Sequence, residues 1–384
     1  MNILMVNYEW PPLGGGGGVA MGTIAKELAQ RHTVHVLTSG AGGLPSAETI
    51  ADGRITVFRC PAFLRHSKSV ASIASMLAFW PLGVRLGKKL LRRYRYDVIN
   101  TWFAIPSGPV GVGIAKRGDI PHVLTIIGGD IYDPSKWYSP HRNPVLKQVV
   151  RSVLRKADGH TAISRDIEAR TRDIYGFDRP IDVISLGITE PTFEPRSRQD
   201  LGLQDGVTYL ISVGRIVRRK DYPTLLRALK RVGRSDVHLL LLGDGPERGN
   251  LEAFSKQLGI AERVHFRGFV PEEEKYQLLA AADVFALTSL HEGFGLVYLE
   301  AMHCGLPVIA SRTGGQVDFL ADGETGYLVP TGDAESLANA LQMMLDEPAL
   351  RAAMAEKNRE RVKSYYASAT ATRYEKLFEV ACGV

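Results

Sequence analysis

The chain is poor in cysteine. Three residues, Cys60, Cys304 and Cys382, lie far apart in 384 with no CxxC pair among them. That spacing excludes a disulfide framework and a cysteine-built zinc site, and it fits a reducing cytosol. A long apolar run is also missing. The uncharged stretch that interrupts the basic residues, Ser69 to Val84, has 16 residues, with Pro81 and several serines among them. A spanning helix needs roughly 20 apolar residues. The opening MNILMVNYEW has neither a basic start nor a small-residue cleavage site, so it reads as a first strand and not as a secretory leader. Finally, acid is absent from residues 59–95, where nine basic residues stand alone.

What is present is ordinary for a globular protein: 45% hydrophobic and 23% charged residues. The length suggests about two to three domains. The formal charge of +6 is uneven, since 24 basic against 15 acidic residues precede position 191 and 23 against 26 follow it. The excess therefore belongs to the first half. Within residues 59–95, Met76, Leu77, Phe79 and Trp80 lie beside Arg85, Lys88, Lys89, Arg92 and Arg93. This is the pattern of an interfacial helix on an anionic membrane surface, or of a core helix with a solvated basic end. No nucleic-acid module accompanies the charge.

Short apolar runs alternate with segments of helical period: NILMV, HTVHVLT, YDVINTW, HVLTII, GHTAIS and DVISL, then TYLISVG, VHLLLLG, RVHFRG, ADVFALT, LPVIAS and GYLV. Such runs suit parallel strands buried on both faces, joined by helical crossovers. The fold class is therefore α/β, with two Rossmann-like doubly wound domains and an interdomain cleft as the default ligand site. Residues 187–206, interrupted by Pro191, Pro195, Gly202 and Gly206, read as the linker.

Three segments suggest chemistry. Gly14 to Gly18 follow the first strand and open a helix, where outward amides and the helix dipole favour an anion. This is not a dinucleotide fingerprint, because HVLTSG stands where an acidic strand end is required, so NAD is disfavoured. In ISVGRIVRRKDYP, Arg215 and Lys220 place two cations after a strand, suited to a diphosphate. In VFALTSLHEGFGLVYLEAMHCGLPVIAS, Glu292 lies in a glycine loop and Glu300 on the helix that begins near Leu296. The amides of Gly295, Leu296 and Val297 and the two carboxylates can then bracket one polyhydroxylated ligand.

With GDGPE, RGFVPEEE, TGG and GETGYLV beside them, these motifs resemble the retaining glycosyltransferases of family 4, which have the GT-B fold. The resemblance spans essentially the whole chain. It implies an N-terminal acceptor-binding domain at residues 1–190, a nucleotide-sugar-binding domain at 191–362 and a C-terminal helix, 363–384, that crosses back to the first domain. It assigns catalytic roles to Arg215, Lys220 and Glu292: the two cations neutralise the donor diphosphate and Glu292 contacts the donor sugar. Glu300 takes the ribose hydroxyls, the backbone of Gly293, Phe294, Gly295 and Leu296 holds sugar and phosphate, Phe269 and Val270 frame the base, and the loop around Gly16 and Gly17 closes over phosphate and acceptor. Family members commonly carry a histidine where this chain has Ile127 in LTIIGGD. Asp130 is left as a candidate sugar or acceptor contact, or as a turn residue, and His122, placed before the strand, as a structural histidine.

The expected activity is metal-independent hexosyl transfer with retention, from a nucleoside-diphosphate sugar to a glycan or lipid-linked acceptor, with no cofactor and no DxD motif to hold a metal. The expected location is cytoplasmic, peripheral on the plasma membrane through residues 59–95. A GT-B-like epimerase or phosphorylase, or a nucleotide-sugar binding subunit of weak catalytic power, stays open.

Overall fold

The computed structural model describes residues 1–61, 72–135 and 138–383. Arg65, Lys68 and residues 69–71 of the basic and uncharged stretches lie outside the described residues, as does Val384. The chain forms two units, Met1–Thr189 with Tyr366–Val384, and Glu190–Tyr365.

The first unit runs β1 (Asn2–Val6), α1 (Gly16–Leu28), β2 (Thr33–Thr38), β3 (Ala47–Ile50), β4 (Ile55–Arg59), α2 (Ile73–Leu91), β5 (Val98–Trp102), α3 (Gly108–Gly118), β6 (His122–Ile126), α4 (Pro144–Lys156), β7 (Gly159–Ala162), α5 (Arg165–Tyr175) and β8 (Asp182–Val183). The second runs β9 (Thr208–Val213), α6 (Tyr222–Val232), β10 (Val237–Leu242), α7 (Arg248–Gln257), β11 (Val264–Gly268), α8 (Glu272–Ala281), β12 (Val284–Leu287), α9 (Leu296–His303), β13 (Val308–Ser311), β14 (Gly326–Val329), α10 (Ala334–Asp346) and α11 (Pro348–Val362). The last helix, α12 (Ala367–Cys382), belongs to the first unit.

The sheet orders are β3-β4-β2-β1-β5-β6-β7-β8 and β11-β10-β9-β12-β13-β14. All described pairings are parallel except β3 with β4. The central strands explain themselves: Ile3 to Val6, Leu239 to Leu242 and Val284 to Leu287 are buried along their length, so no polar face is needed. In α6, Leu225, Leu226 and Leu229 are buried against the second sheet, each contributing about 1.5–3 kcal/mol. In α12, Tyr374 and Phe378 are fully buried, and the Tyr374 ring stacks 5.9 Å from that of Trp102. This is two Rossmann-like domains of the GT-B kind.

Some details differ from the sequence reading. The hairpin β3–β4 gave no signal, because AETI is polar and only half-buried at the sheet edge. The second unit runs through Tyr365, beyond 362. The stretch 187–206 that reads as the linker is exposed over most of its length and anchored at a few points: Ile188, Leu201 and Leu203 are buried, and Arg198 Nη2 sits 2.9 Å from Asp283 Oδ2. The chain passes from the first unit to the second at Thr189–Glu190, inside that stretch, and returns at Tyr365–Tyr366.

Candidate functional site

In a doubly wound sheet, ligands gather at the carboxyl ends of the strands where the order reverses. In the second unit that point lies between β9 and β12, and the loops after these strands carry Arg215, Lys220 and Glu292. Backbone hydrogen bonds knit them together. Leu290 N donates to Arg219 O at 2.9 Å, and Gly315 N, after β13, donates to Glu292 O at 2.9 Å. Gly314 has φ +115°, and a Cβ on Gly315 would overlap Gly293 O, so the TGG glycines let two loops touch backbone to backbone.

At the centre, Lys220 Nζ donates to Glu292 Oε2 at 2.6 Å, both side chains being buried. Arg219 Nη1 reaches Glu292 Oε1 at 3.2 Å and His291 O at 3.1 Å. Burial alone pushes the Glu292 carboxyl up, but Lys220 and then Arg219 outweigh it and hold the group at about 2. Glu292 is an anion at any physiological pH. Sequence reasoning missed Arg219, which reads with Arg218 as a solvated cation beside Lys220 in RRK.

Arg215 lies at the end of β9 with its side chain exposed and without a side-chain partner among the described residues. Lys220 and Glu292 are thus brought together, and Arg215 stands outside their pairing. Glu300 is separate too: on α9, its Oε2 lies 2.9 Å from Lys275 Nζ, which also bonds Glu272 at 2.8 Å. Burial raises the Glu300 carboxyl above its ordinary range, Lys275 pulls against that, and the rise wins. Lys275 was missed as well, since an EEEK run three residues from Glu272 looks like a solvated helix face.

Gly295, at φ +91°, turns the chain into α9. The amides of Leu296 and Val297 have no acceptor among the described residues, leaving the helix N-terminus open to an anion. Phe294 packs its ring against Phe319 at 5.0 Å, so only its backbone is available. Phe269 is 89% exposed after β11, and Val270 beside it is half-buried.

The first unit has its own reversal between β1 and β5, and there Gly17 faces Phe103. A Cβ on Gly17 would fall 2.5 Å from Phe103 Cζ, whereas one on Gly15 or Gly16 would meet nothing within 4 Å. Phe103 has φ +73°, a strained setting for an aromatic residue.

Asp130 corrects the expectation of a ligand contact. It is 4% exposed, and its oxygens accept from Ala104 N at 2.5 Å, Gly128 N at 2.7 Å and Ile127 N at 3.2 Å. Burial raises its carboxyl to about 6, despite the backbone hydrogen bonds that favour the anion. It ties the loop after β6 to the residue after Phe103. His122 is the first residue of β6, not before it; buried, with Nε2 2.9 Å from Thr101 Oγ1, it is held down to about 4 mainly by desolvation.

The family profile for glycosyltransferase family 4 matches residues 14–190, and that for glycosyl transferases group 1 matches 193–361. The chain belongs to the family 4 type glycosyltransferases. This glycosyltransferase is 30% identical to the N-acetyl-alpha-D-glucosaminyl L-malate synthase of Bacillus anthracis, over 98% of this chain and 96% of that protein. It is 35% identical to the lipopolysaccharide core biosynthesis glycosyltransferase LpsE of Rhizobium meliloti, over 71% of this chain and 72% of the relative. Among solved structures, the sucrose-phosphate synthase of Thermosynechococcus elongatus superposes with a TM-score of 0.86 at 27% identity, covering 99% of this glycosyltransferase and 98% of that chain. Among the described residues, no helix of the glycosyltransferase is long and apolar enough to cross a membrane.

Proposed function

We propose that the enzyme is a retaining, metal-independent hexosyltransferase. It moves a sugar from a nucleoside diphosphate to a glycan or lipid-linked acceptor in cell-envelope or exopolysaccharide assembly, from the cytoplasmic face of the membrane. The observation that carries the reading is the buried Lys220–Glu292 pair at the reversal of the second sheet, next to the open amides of α9. The likeness to an enzyme of lipopolysaccharide core biosynthesis supports the envelope setting.

The chemistry follows from charge. As the bond from the anomeric carbon to the phosphate oxygen breaks, negative charge grows on the β-phosphate. Arg215, which is exposed, and the buried Lys220 meet it; the Lys220 ammonium has three N–H donors and gives one to Glu292, so others are left for phosphate. Glu292, kept anionic, accepts from donor sugar hydroxyls, and Glu300 accepts from the ribose. The acceptor oxygen then bonds the anomeric carbon on the face the phosphate leaves, and its proton passes to the departing phosphate. Phe269 and Val270 frame the base, while Gly16 leaves room for acceptor or phosphate oxygens at the start of α1.

The test is a thermal-shift panel of UDP-, GDP- and ADP-sugars in EDTA, followed by NMR of the product formed from the stabilising donor. A ligand at 100 times its dissociation constant stabilises by about 2.7 kcal/mol. Retained anomeric configuration in EDTA is the expected result. Absence of any shift, an inverted product, or a strict need for Mg²⁺ or Mn²⁺ overturns the reading.

A further inference from the structure

The first unit holds a groove of about 650 Å³ between α2, α3 and α4, far along the chain from the glycine loop and walled by Trp80, Pro109, Val112, Val145, Val149 and Lys156. Its apolar side chains are not spent on the core. Trp80 is 50% exposed and Val145 71%, and Ile73 and Leu77 continue the strip one and two turns earlier on α2, at the spacing that places residues on one helix face. A contiguous apolar surface of this kind marks a docking site on a soluble fold.

The charge around it is of one sign. The three helices carry Arg85, Lys88 and Lys89 on α2, Lys116 and Arg117 on α3, and four further basic residues on α4, with no acidic residue in any of them. Those named on α2 and α3 are exposed, as is Lys156 on the groove wall. The pairs at 88–89, 116–117 and 155–156 all fall in the last turns of their helices. A second copy of this chain would bring the same cationic rim against itself across a two-fold contact, and like charges would oppose it. An anionic amphiphile satisfies both the apolar floor and the rim.

We propose that the groove takes an acyl chain of an anionic membrane phospholipid while the rim of lysines and arginines contacts the surrounding headgroup phosphates, so that the first unit docks on a lipid surface. The inference rests on the membrane-facing part of the proposed function and extends it from residues 59–95 to α3 and α4. Attraction to such a surface accumulates with each basic residue and is screened by salt.

The experiment uses the full chain and vesicles of phosphatidylcholine with or without phosphatidylglycerol. Co-sedimentation should require phosphatidylglycerol and fall at least ~10-fold when the salt is raised from about 0.05 to 0.5 M. Phosphatidylglycerol brominated in its acyl chains should quench tryptophan fluorescence, and, with Trp137 replaced by Phe throughout, Trp80→Phe should remove most of that quenching, because Trp10 and Trp102 are buried. Val145→Glu, at an exposed position, should weaken vesicle binding at least ~10-fold at an unchanged melting temperature. No binding to phosphatidylglycerol vesicles, binding with the same quenching in Trp80→Phe, or dimers that Val145→Glu dissolves while vesicles are ignored, each overturns the proposal. The nucleotide-sugar shift of the wild-type chain, measured beside these, fails or succeeds independently and so separates this inference from the donor reading.

Discussion

Lys220 Nζ and Glu292 Oε2, 72 residues apart in sequence, meet at 2.6 Å where both are buried. Such a pair is stable as a unit and costly to halve. Lys220→Met should lower stability by up to ~3 kcal/mol in urea titrations, because the buried Glu292 keeps Arg219 as its one cation beside the Ser289 hydroxyl, and Lys220→Met with Glu292→Gln should recover most of the loss. Both variants should lose transfer. The pH dependence has a definite sign. A carboxylate depressed from 4.5 to about 2 adds stability that is full above pH 4.5 and disappears as pH falls toward 2. The gap between wild type and Lys220→Met should therefore shrink between pH 5 and 2. A gap that is constant over this range would sink the argument.

Gly16 and Gly17 are neighbours with opposite expected behaviour. A methyl on Gly16 enters open space and restricts the unfolded chain, so Gly16→Ala should leave stability unchanged or raise it by about 0.5–1 kcal/mol. Transfer should nevertheless fall, because the methyl stands where substrate oxygens would approach. Gly17→Ala drives its Cβ against the Phe103 ring and should cost about 1–3 kcal/mol, much of it returned by adding Phe103→Leu. Equal melting temperatures for Gly17→Ala and wild type would contradict the packing account.

How much of this was legible depended on range. Buried central strands such as VHLLLLG and VFALT announce themselves because both faces are apolar, and the HEGFG loop announces itself because its glycines and carboxylate lie within a few positions. The half-buried AETI strand had no such signature. Asp130 reads as a sugar or acceptor contact, or as a turn residue after two glycines, since one partner that defines it, Ala104 N, is 26 residues away. Arg219 and Lys275 were hidden for a related reason. Each sits in a run of charge that reads as solvated, and only the fold brings Glu292 and Glu300 against them.

Lys275 should act on the donor through Glu300. Burial favours the protonated Glu300 carboxyl, and Lys275 opposes that. Lys275→Met removes the opposition, so the pH below which donor affinity falls should move upward, while Lys275→Arg should restore it. Nucleotide-sugar dissociation constants measured from pH 5 to 8 report this directly. A Lys275→Met protein that is merely less stable, with an unmoved pH profile, would make the residue structural only.

Asp130 gives the opposite pH sign to Glu292. Its carboxyl is raised from 3.8 to about 6, so the folded chain keeps a proton that the unfolded chain has already released. The stability linked to this group is present below pH 3.8 and is lost as pH rises through about 6. Asp130→Asn cannot titrate, and its amide must point an N–H at either Ala104 N or the Ile127 and Gly128 amides, donor against donor. The variant should therefore be less stable than wild type at pH 4, and the deficit should narrow by up to ~3 kcal/mol by pH 7. Because the same carboxyl fixes the residue that follows Phe103, Asp130→Asn should also disturb the Gly17 contact, seen as loss of the non-additivity between Gly17→Ala and Phe103→Leu. A deficit that stays the same from pH 4 to 7 would mean that the Asp130 carboxyl is ionised throughout and that its burial costs the fold nothing.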